Sequence, residues 1–484
     1  MNLGLSLASA VLLVLIFPPF NFTFLAPFAL APLLVACTRE RSWWRRWFNG
    51  WAAGAVFWCG VCTWIQFVLE VHGGMGRWGG WGGFALFGLY KGLQMALFAV
   101  LAGLLMKRRW AIPAVAALWT GIERTHGPFG FAWLDLGNAG INMPVPMRLA
   151  PITGVYGLSF VFAVLGCAVA GIALRRPRRE LAWLLPVPLL LVLPAAPRPA
   201  APTQRALVVQ PNLDTEMTWT TDTLRETEEK LALLSRASGA SMVLWPEVPA
   251  PFYANDADFR EYMAQVAQRS RTYFLLGVVD YNSAREPLNS AIMLGPSGHI
   301  LDRYDKINLV PFGEFIPPLF GWVNRITHEV GDFVPGNRVV VFPVEEHQVG
   351  AFICYESALP GFVRQFVRSG AEVLVNLSND GYFGHSAARE QHLALVRMRA
   401  AENRRWIIRA TNDGITAVID PRGRVTERLQ PFAETAGMMR YGYVREQTPY
   451  TRYGDWFAWG CLAAALALCV YEWRMTRTSP SLTM

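Results

Sequence analysis

Of the seven cysteines only Cys354 lies in the polar middle of the chain; Cys37, Cys59, Cys62, Cys167, Cys461 and Cys469 fall in long apolar runs. A lone thiol has no partner for a disulfide within that region, and its ordinary fate is to be a small buried hydrophobe. Its surroundings point to chemistry instead. The apolar stretch 349–353 ends at Cys354, Tyr355-Glu356-Ser357 follow, and an amphipathic stretch comes next. A nucleophile on such a strand-to-helix turn stands at a sheet edge, where backbone N–H groups can meet a developing oxyanion. A thiol with a pKa of about 8.5 is mostly protonated at neutral pH, so it needs a base and a positive neighbour. Two other stretches end on such groups. Strand-like 241–245 delivers Trp245-Pro246-Glu247, and Tyr304-Asp305 leads into Lys306. Taken singly, Glu247 and Lys306 read as surface charges. Together with Cys354 they make base, cation and nucleophile, a set that serves acyl transfer and the hydrolysis of a small C–N substrate equally well. The His residues are scattered without the close spacing of a metal site, so no metal or other cofactor is expected. His392 is read as a satisfied helical histidine.

The elements that must hold these groups are short. Period-2 and apolar runs predict strands at 206–210, 241–245, 273–279, 290–294, 349–353, 372–376, 406–410 and 416–420. Period-3.6 runs predict helices at 221–237, 256–269, 359–368 and 387–403. Gly295-Pro296-Ser297-Gly298 and Asp420-Pro421-Arg422-Gly423 are turn signals that join hairpins. Strands alternating with helices and broken by hairpins indicate a layered α/β domain.

Trp245-Pro246-Glu247, Lys306 and Cys354-Tyr355-Glu356, in that order, resemble the nitrilase superfamily. The run Tyr304-Asp305-Lys306-Ile307-Asn308-Leu309-Val310-Pro311-Phe312-Gly313-Glu314-Phe315-Ile316-Pro317 is similar to the signature of its membrane-embedded branch, the bacterial apolipoprotein N-acyltransferases. So is Leu377-Ser378-Asn379-Asp380-Gly381-Tyr382-Phe383-Gly384, although that family more often has Ala-Trp where Gly381-Tyr382 stand. The resemblance runs the length of the chain. It implies an α/β/β/α sandwich carrying a Glu247-Lys306-Cys354 triad, which moves a fatty acyl chain from a phospholipid, with phosphatidylethanolamine the expected donor, through a Cys354 thioester. The implied acceptor is the α-amine of the diacylglyceryl cysteine that begins an apolipoprotein. Glu314, Glu356 and Tyr355 are implied to support the triad. Trp219, Phe312, Trp133 and Asp380 are candidates for substrate contact, Asp380 also as a loop support beside Cys354. Phe315, Ile316, Leu319, Phe320 and Trp322 are expected to extend an apolar mouth.

Such a substrate calls for a membrane, and the composition supplies one. Charged residues make up 17% of the chain and hydrophobic ones 53%, too little charge to cover a soluble surface. A hydrocarbon core takes about 20 residues of helix to cross. Apolar runs at 3–18, 23–37, 50–69, 84–106, 111–122, 152–174, 181–193 and 456–471 give about eight candidate spans, several of them short enough to be buried or re-entrant. The expected organisation is a seven-helix membrane domain over 1–194, a Pro/Ala-rich linker over 195–203, the catalytic domain over 204–446, and a final span with a cytoplasmic tail over 447–484. Within the membrane part, Lys91 should snorkel or face the bundle, and Glu123 and Arg124 should pair with each other.

The net charge of +8 also divides. Residues 204–452 hold 26 Lys+Arg against 29 Asp+Glu, and the remainder 18 against 7. Thirteen of those 18 basic residues follow the second, fourth, sixth and eighth spans, so strict alternation puts them on one face. Positive loops mark the cytoplasm. Both termini are therefore expected there, in a bacterial inner membrane, with the catalytic domain on the periplasmic side. This pattern removes the nucleic-acid reading of the basic excess. A membrane-tethered amidase leaves eight spans without a task, and a non-catalytic lipoprotein-binding or transport protein leaves the triad an accident.

Overall fold

The computed structural model describes the chain apart from Phe129, Ala237, Ser238, Phe312, residues 316–332 and residues 479–484. It divides into two compact units. One comprises Phe67–Arg77 and Pro197–Arg452; the other comprises Met1–Gln66, Trp78–Ala196 and Tyr453–Met484.

The first unit contains two six-stranded sheets. One is built from β1 (Gln204–Gln210), β2 (Met242–Leu244), β3 (Tyr273–Tyr281), β4 (Pro287–Leu294), β5 (Ile300–Asp305) and β12 (Thr435–Tyr441), in the order β12-β1-β2-β3-β4-β5. The other holds β6 (Val341–Val344), β7 (His347–Ile353), β8 (Val373–Ser378), β9 (Ile407–Thr411), β10 (Ala417–Ile419) and β11 (Val425–Arg428), in the order β11-β10-β9-β8-β7-β6. In each, three central strands run parallel and antiparallel strands close the edges.

Side-chain alternation sorts the layers. Ala206 and Val208, Met242 and Leu244, Leu275, Ala291 and Met293 face one core, which they share with Val349, Ala351, Val373 and Val375 of the other sheet. Their neighbours Leu207, Val209, Val243, Trp245, Phe274, Leu276 and Ile292 face a second core with Leu231, Phe259, Met263 and Ala267 of helices Thr221–Leu234 and Ala257–Ser270. A strand reverses face at each residue, so sheets apolar on both sides must be covered on both. Helices Pro360–Arg368 and Ala388–Asn403 join the shared core through Phe362, Phe366, Leu393 and Val396. The result is an α/β/β/α sandwich. All eight strands and four helices read from the sequence are present, with ends shifted by a few residues. β5, β6, β11 and β12 were not legible, because few of their residues are buried: Tyr304 in β5, Phe342 and Val344 in β6, Met439 and Tyr441 in β12, and none in β11.

The second unit is helical and apolar. Among the described residues three helices, Gly76–Leu105, Val155–Ala173 and Trp456–Met475, are long and apolar enough to cross a membrane. Trp43–Val61 with Trp64–His72, bent by 68°, makes a fourth if counted as one span. The short segments behave differently. Run 23–37 is a turn at Thr23–Leu25 followed by the nine-residue helix Ala31–Arg39, about 14 Å long at 1.5 Å per residue. Run 181–193 forms two 3₁₀ turns, Arg178–Leu184 and Val187–Leu191, rather than an α-helix. Pro186 and Pro188 lack the N–H that an α-helix needs there. Helices Asn2–Leu15 and Ala111–Arg124, each 14 residues, stop short of a full crossing.

One expected contact is corrected, and one alternative is settled. Glu123 and Arg124 do not pair with each other: Glu123 accepts from Trp119 Nε1 at 2.8 Å and from the Leu136 N–H at 2.7 Å, while Arg124 meets Asp455 at 2.6 Å. Consecutive helical residues point about 100° apart, so each found its partner on a different neighbour. Lys91 faces the bundle, with Nζ donating to Gln94 Oε1 at 2.7 Å and the Phe131 carbonyl at 2.9 Å over the Trp58 ring.

Helices Trp43–Val61 and Gly76–Leu105 meet through small residues. Gly50 and Gly54 on one and Gly88 and Gly92 on the other sit four apart, as in helix pairs that pack backbone to backbone in lipid. A Cβ on Gly92 would lie 2.7 Å from the Trp51 carbonyl oxygen. Gly92→Val should therefore destabilise the protein by about 1–3 kcal/mol, seen as a lower melting temperature in detergent. Gly82→Ala, where nothing lies within 4 Å, is the control and should leave it unchanged. Equal melting of both variants would refute the close crossing.

Candidate active site

Both sheets present their functional groups where parallel strands end. β2 runs into Trp245, which is fully buried and donates Nε1–H to Ser235 Oγ at 2.8 Å. That anchor fixes the chain just before Glu247. Val248 then adopts φ +32°, unusual for a β-branched residue. The segment can pass so close to β3 only because Gly277 lies there, since a Cβ on it would fall 2.2 Å from the Pro246 carbonyl oxygen. Burial holds Glu247 at 7% exposure.

Lys306 follows β5 and is buried. Its Nζ donates to Glu247 Oε1 at 3.0 Å and to Glu314 Oε1 at 2.8 Å. Asn289 Nδ2 binds the same two oxygens at 2.9 and 2.8 Å. The remaining oxygens take backbone N–H groups, Glu247 Oε2 from Asn379 at 2.9 Å and Glu314 Oε2 from Val310 at 2.8 Å. Burial opposes the Lys306 charge, but the Glu247 and Glu314 carboxyls and the Cys354 thiol more than offset it and hold the ammonium well above its usual pKa.

Cys354 ends β7 at φ +49° and opens the turn Cys354–Ala358, in which Tyr355 is also buried. Glu356 ties this turn to the lysine. One oxygen accepts from Tyr304 OH at 2.7 Å, Ile307 N at 2.9 Å and Asn308 N at 3.1 Å; the other accepts from Ile353 N at 2.8 Å. It thus joins the end of β5 in one sheet to the end of β7 in the other. Burial, then the nearby Glu247 carboxyl, push the Cys354 thiol far up, and Lys306 only partly counteracts them. The Cys354 side chain is thus held as a protonated thiol beside an ammonium and two carboxyl groups.

The other expected residues fall in different places. Asp380 is fully buried, with both oxygens 2.7 Å from Arg409 Nη2 and Oδ1 also taking Ser378 Oγ at 3.0 Å. Its carboxylate is enclosed and ion-paired rather than open to the surface. Trp219 is half-buried against the core under helix Thr221–Leu234. Trp133 belongs to the helical unit and is buried 5.1 Å from the Trp64 ring. Phe315 is half-buried. Phe312, Ile316, Leu319, Phe320 and Trp322 lie outside the described residues. Asn289, His392 and Arg409 escaped the sequence reading as site residues. Arg409 had a signal, a single charge inside the apolar strand 406–410; Asn289 had none.

Comparison with known proteins adds to this geometry. Residues 205–442 match the carbon-nitrogen hydrolase family model, and residues 9–168 match that of the apolipoprotein N-acyltransferase N-terminal domain. The chain is 34% identical to the apolipoprotein N-acyltransferase of Geobacter metallireducens, across 97% of this chain and 95% of that one. It is 32% identical to that of Nitrosomonas europaea, over 91% of each, and 32% identical to that of Azotobacter vinelandii, over 98% of this chain and 94% of that one. Relatives at this identity that the chain covers almost from end to end settle its kinship: it belongs to the apolipoprotein N-acyltransferase family and is an acyltransferase.

Proposed function

We propose that in the N-acylation of lipoproteins Cys354 carries the transferred acyl group as a thioester. The observation that supports this most is Lys306 Nζ held between Glu247 and Glu314 while Glu356 ties the Lys306 loop to the Cys354 turn. Glu247 takes the thiol proton as sulfur attacks an ester carbonyl of a phospholipid, such as phosphatidylethanolamine. Lys306 and the N–H at Tyr355 stabilise the oxyanion. Collapse expels the lysophospholipid alkoxide, which recovers the proton from Glu247. In the second half the α-amine of a diacylglyceryl cysteine on an apolipoprotein attacks the thioester, Glu247 takes its proton, and Cys354 leaves as thiol once reprotonated. The product is an amide. Glu314 holds Lys306 in place, and Trp219, Phe312 and Trp133 are the apolar candidates for acyl-chain contact.

An even number of crossings leaves both termini in the cytoplasm and the catalytic unit in the periplasm. What supports this orientation is the placement of 13 basic residues after alternate spans.

Purified protein given phosphatidylethanolamine labelled in its acyl chain should acquire a hydroxylamine-sensitive label. Cys354→Ala should acquire none, and Lys306→Met should slow its appearance by about 10²–10³-fold. No label on the wild type, or full label on Cys354→Ala, would overturn the thioester route. Because the thiol is pushed up, its neutral form dominates through neutral pH and the thiolate fraction grows as pH rises. Alkylation of Cys354 by iodoacetamide should accordingly climb roughly tenfold per pH unit from pH 6 to 9; a plateau reached below pH 7 would instead reveal a preformed thiolate. For orientation, Ser283 sits exposed in the turn between β3 and β4. An impermeant maleimide should label Ser283→Cys in spheroplasts, and labelling only after lysis of the inner membrane would reverse the topology.

A further inference from the structure

The carbonyl of Cys354 lies just beyond the β7–β8 ladder, whose last pair is Ile353 with Leu377. A buried carbonyl there needs a donor from elsewhere. His392, fully buried on helix Ala388–Asn403, provides it, with Nε2 3.0 Å from the Cys354 oxygen. A carbonyl only accepts, so Nε2 carries the proton. The other ring nitrogen, Nδ1, lies 3.1 Å from Arg409 Nη2 and 3.1 Å from Asp380 Oδ1. Asp380 and Arg409 are in turn locked together, and Arg409 Nη1 reaches Asn376 Oδ1. The chain thus passes from two neighbouring strands, through a helix, to the main chain of the nucleophile.

Stability alone is a poor reason for this arrangement. Fully buried ion pairs can often be replaced by apolar side chains at no loss of stability. What an apolar replacement could not do is hold the Cys354 carbonyl. A residue kept at φ +49° is strained and persists only where its surroundings overdetermine it.

We infer that His392 is a positioning residue for acyl transfer: by donating Nε2–H to the Cys354 carbonyl, and being held itself by Arg409, which donates to Nδ1 and is locked in turn by Asp380, it fixes the left-handed turn that aims the thiol at Glu247 and Lys306. This deepens the proposed thioester route and rests on it for the identity of the acyl donor. The substitution His392→Phe keeps the ring and removes the donor. His392→Gln restores an N–H at similar reach.

Two measurements on the full-length protein in detergent test the inference. One is single-turnover acylation by labelled phosphatidylethanolamine, and the other is alkylation of Cys354 by iodoacetamide, which needs no lipid. His392→Phe should slow both by about 10²-fold, the scale of a nucleophile misplaced by 1 Å, with the lipid concentration for half-maximal rate changed less than about threefold. His392→Gln should recover at least tenfold of the loss in both. Wild-type rates in His392→Phe, or a His392→Gln no faster than His392→Phe at equal melting temperature, would overturn the inference. Should His392→Phe not fold, His392→Asn, whose amide is too short to reach the carbonyl, replaces it with the same expectations. If wild-type protein alkylates but never acylates, the thioester route fails while the alkylation series still decides the role of His392.

Discussion

A buried ammonium has to be neutralised where it stands, and Lys306 organises the site around that requirement. An unpaired charge in such a place costs several kcal/mol, so the two carboxyl groups 3.0 and 2.8 Å away are conditions for folding before they are instruments of catalysis. Each of those groups needs further donors, and the fold supplies Asn289 and two backbone N–H groups. Glu247, Lys306, Asn289 and Glu314 come from four separate stretches of chain. Satisfying one lysine therefore fixes the relative position of the ends of β2 and β5 and the loop after Lys306.

Glu356 extends the same logic across the sandwich. Sheets packed face to face by apolar side chains can slide with little penalty, because the hydrophobic effect is non-directional. A single carboxylate that accepts from Tyr304, Ile307 and Asn308 on one side and from Ile353 on the other removes that freedom at the point where the reaction needs a fixed distance. The strained residues lie on either side of this tie, Val248 after Glu247 and Cys354 itself. Neither conformation is favourable locally. Both are maintained because the hydrogen-bonded carboxylates around them leave no relaxed alternative, which is how strain comes to be concentrated at reactive centres.

The sequence showed much of this through burial pattern. Strands apolar on both faces, such as 273–279 and 349–353, stand out against polar turns, and Glu247 and Cys354 drew notice because each closely follows such a strand. Edge strand β11 alternates with exposed polar residues and edge strand β5 buries only Tyr304, so neither leaves such a trace. Run 181–193 misled for a related reason: its composition suits a membrane, but Pro186 and Pro188 forbid the helix that the hydropathy suggests. His392 was invisible as anything but a helical histidine, since the partners that give it a role, Asp380, Arg409 and the Cys354 carbonyl, are brought to it only by the sheet and not by sequence spacing.

The protonation state of Cys354 links these pieces. In many cysteine enzymes a neighbouring cation stabilises a resting thiolate, but here the cation is already committed to two carboxyl groups, and burial and those groups keep the proton on sulfur. On the proposed thioester route such a thiol reacts only when a carbonyl is placed against it and Glu247 can accept the proton in the same step. Oxidation follows thiolate character and exposure. A protonated, buried sulfur is protected on both counts. On that proposed route the arrangement that slows adventitious chemistry also makes acylation conditional on a bound, correctly oriented ester, so selectivity and protection arise from one electrostatic imbalance around Lys306.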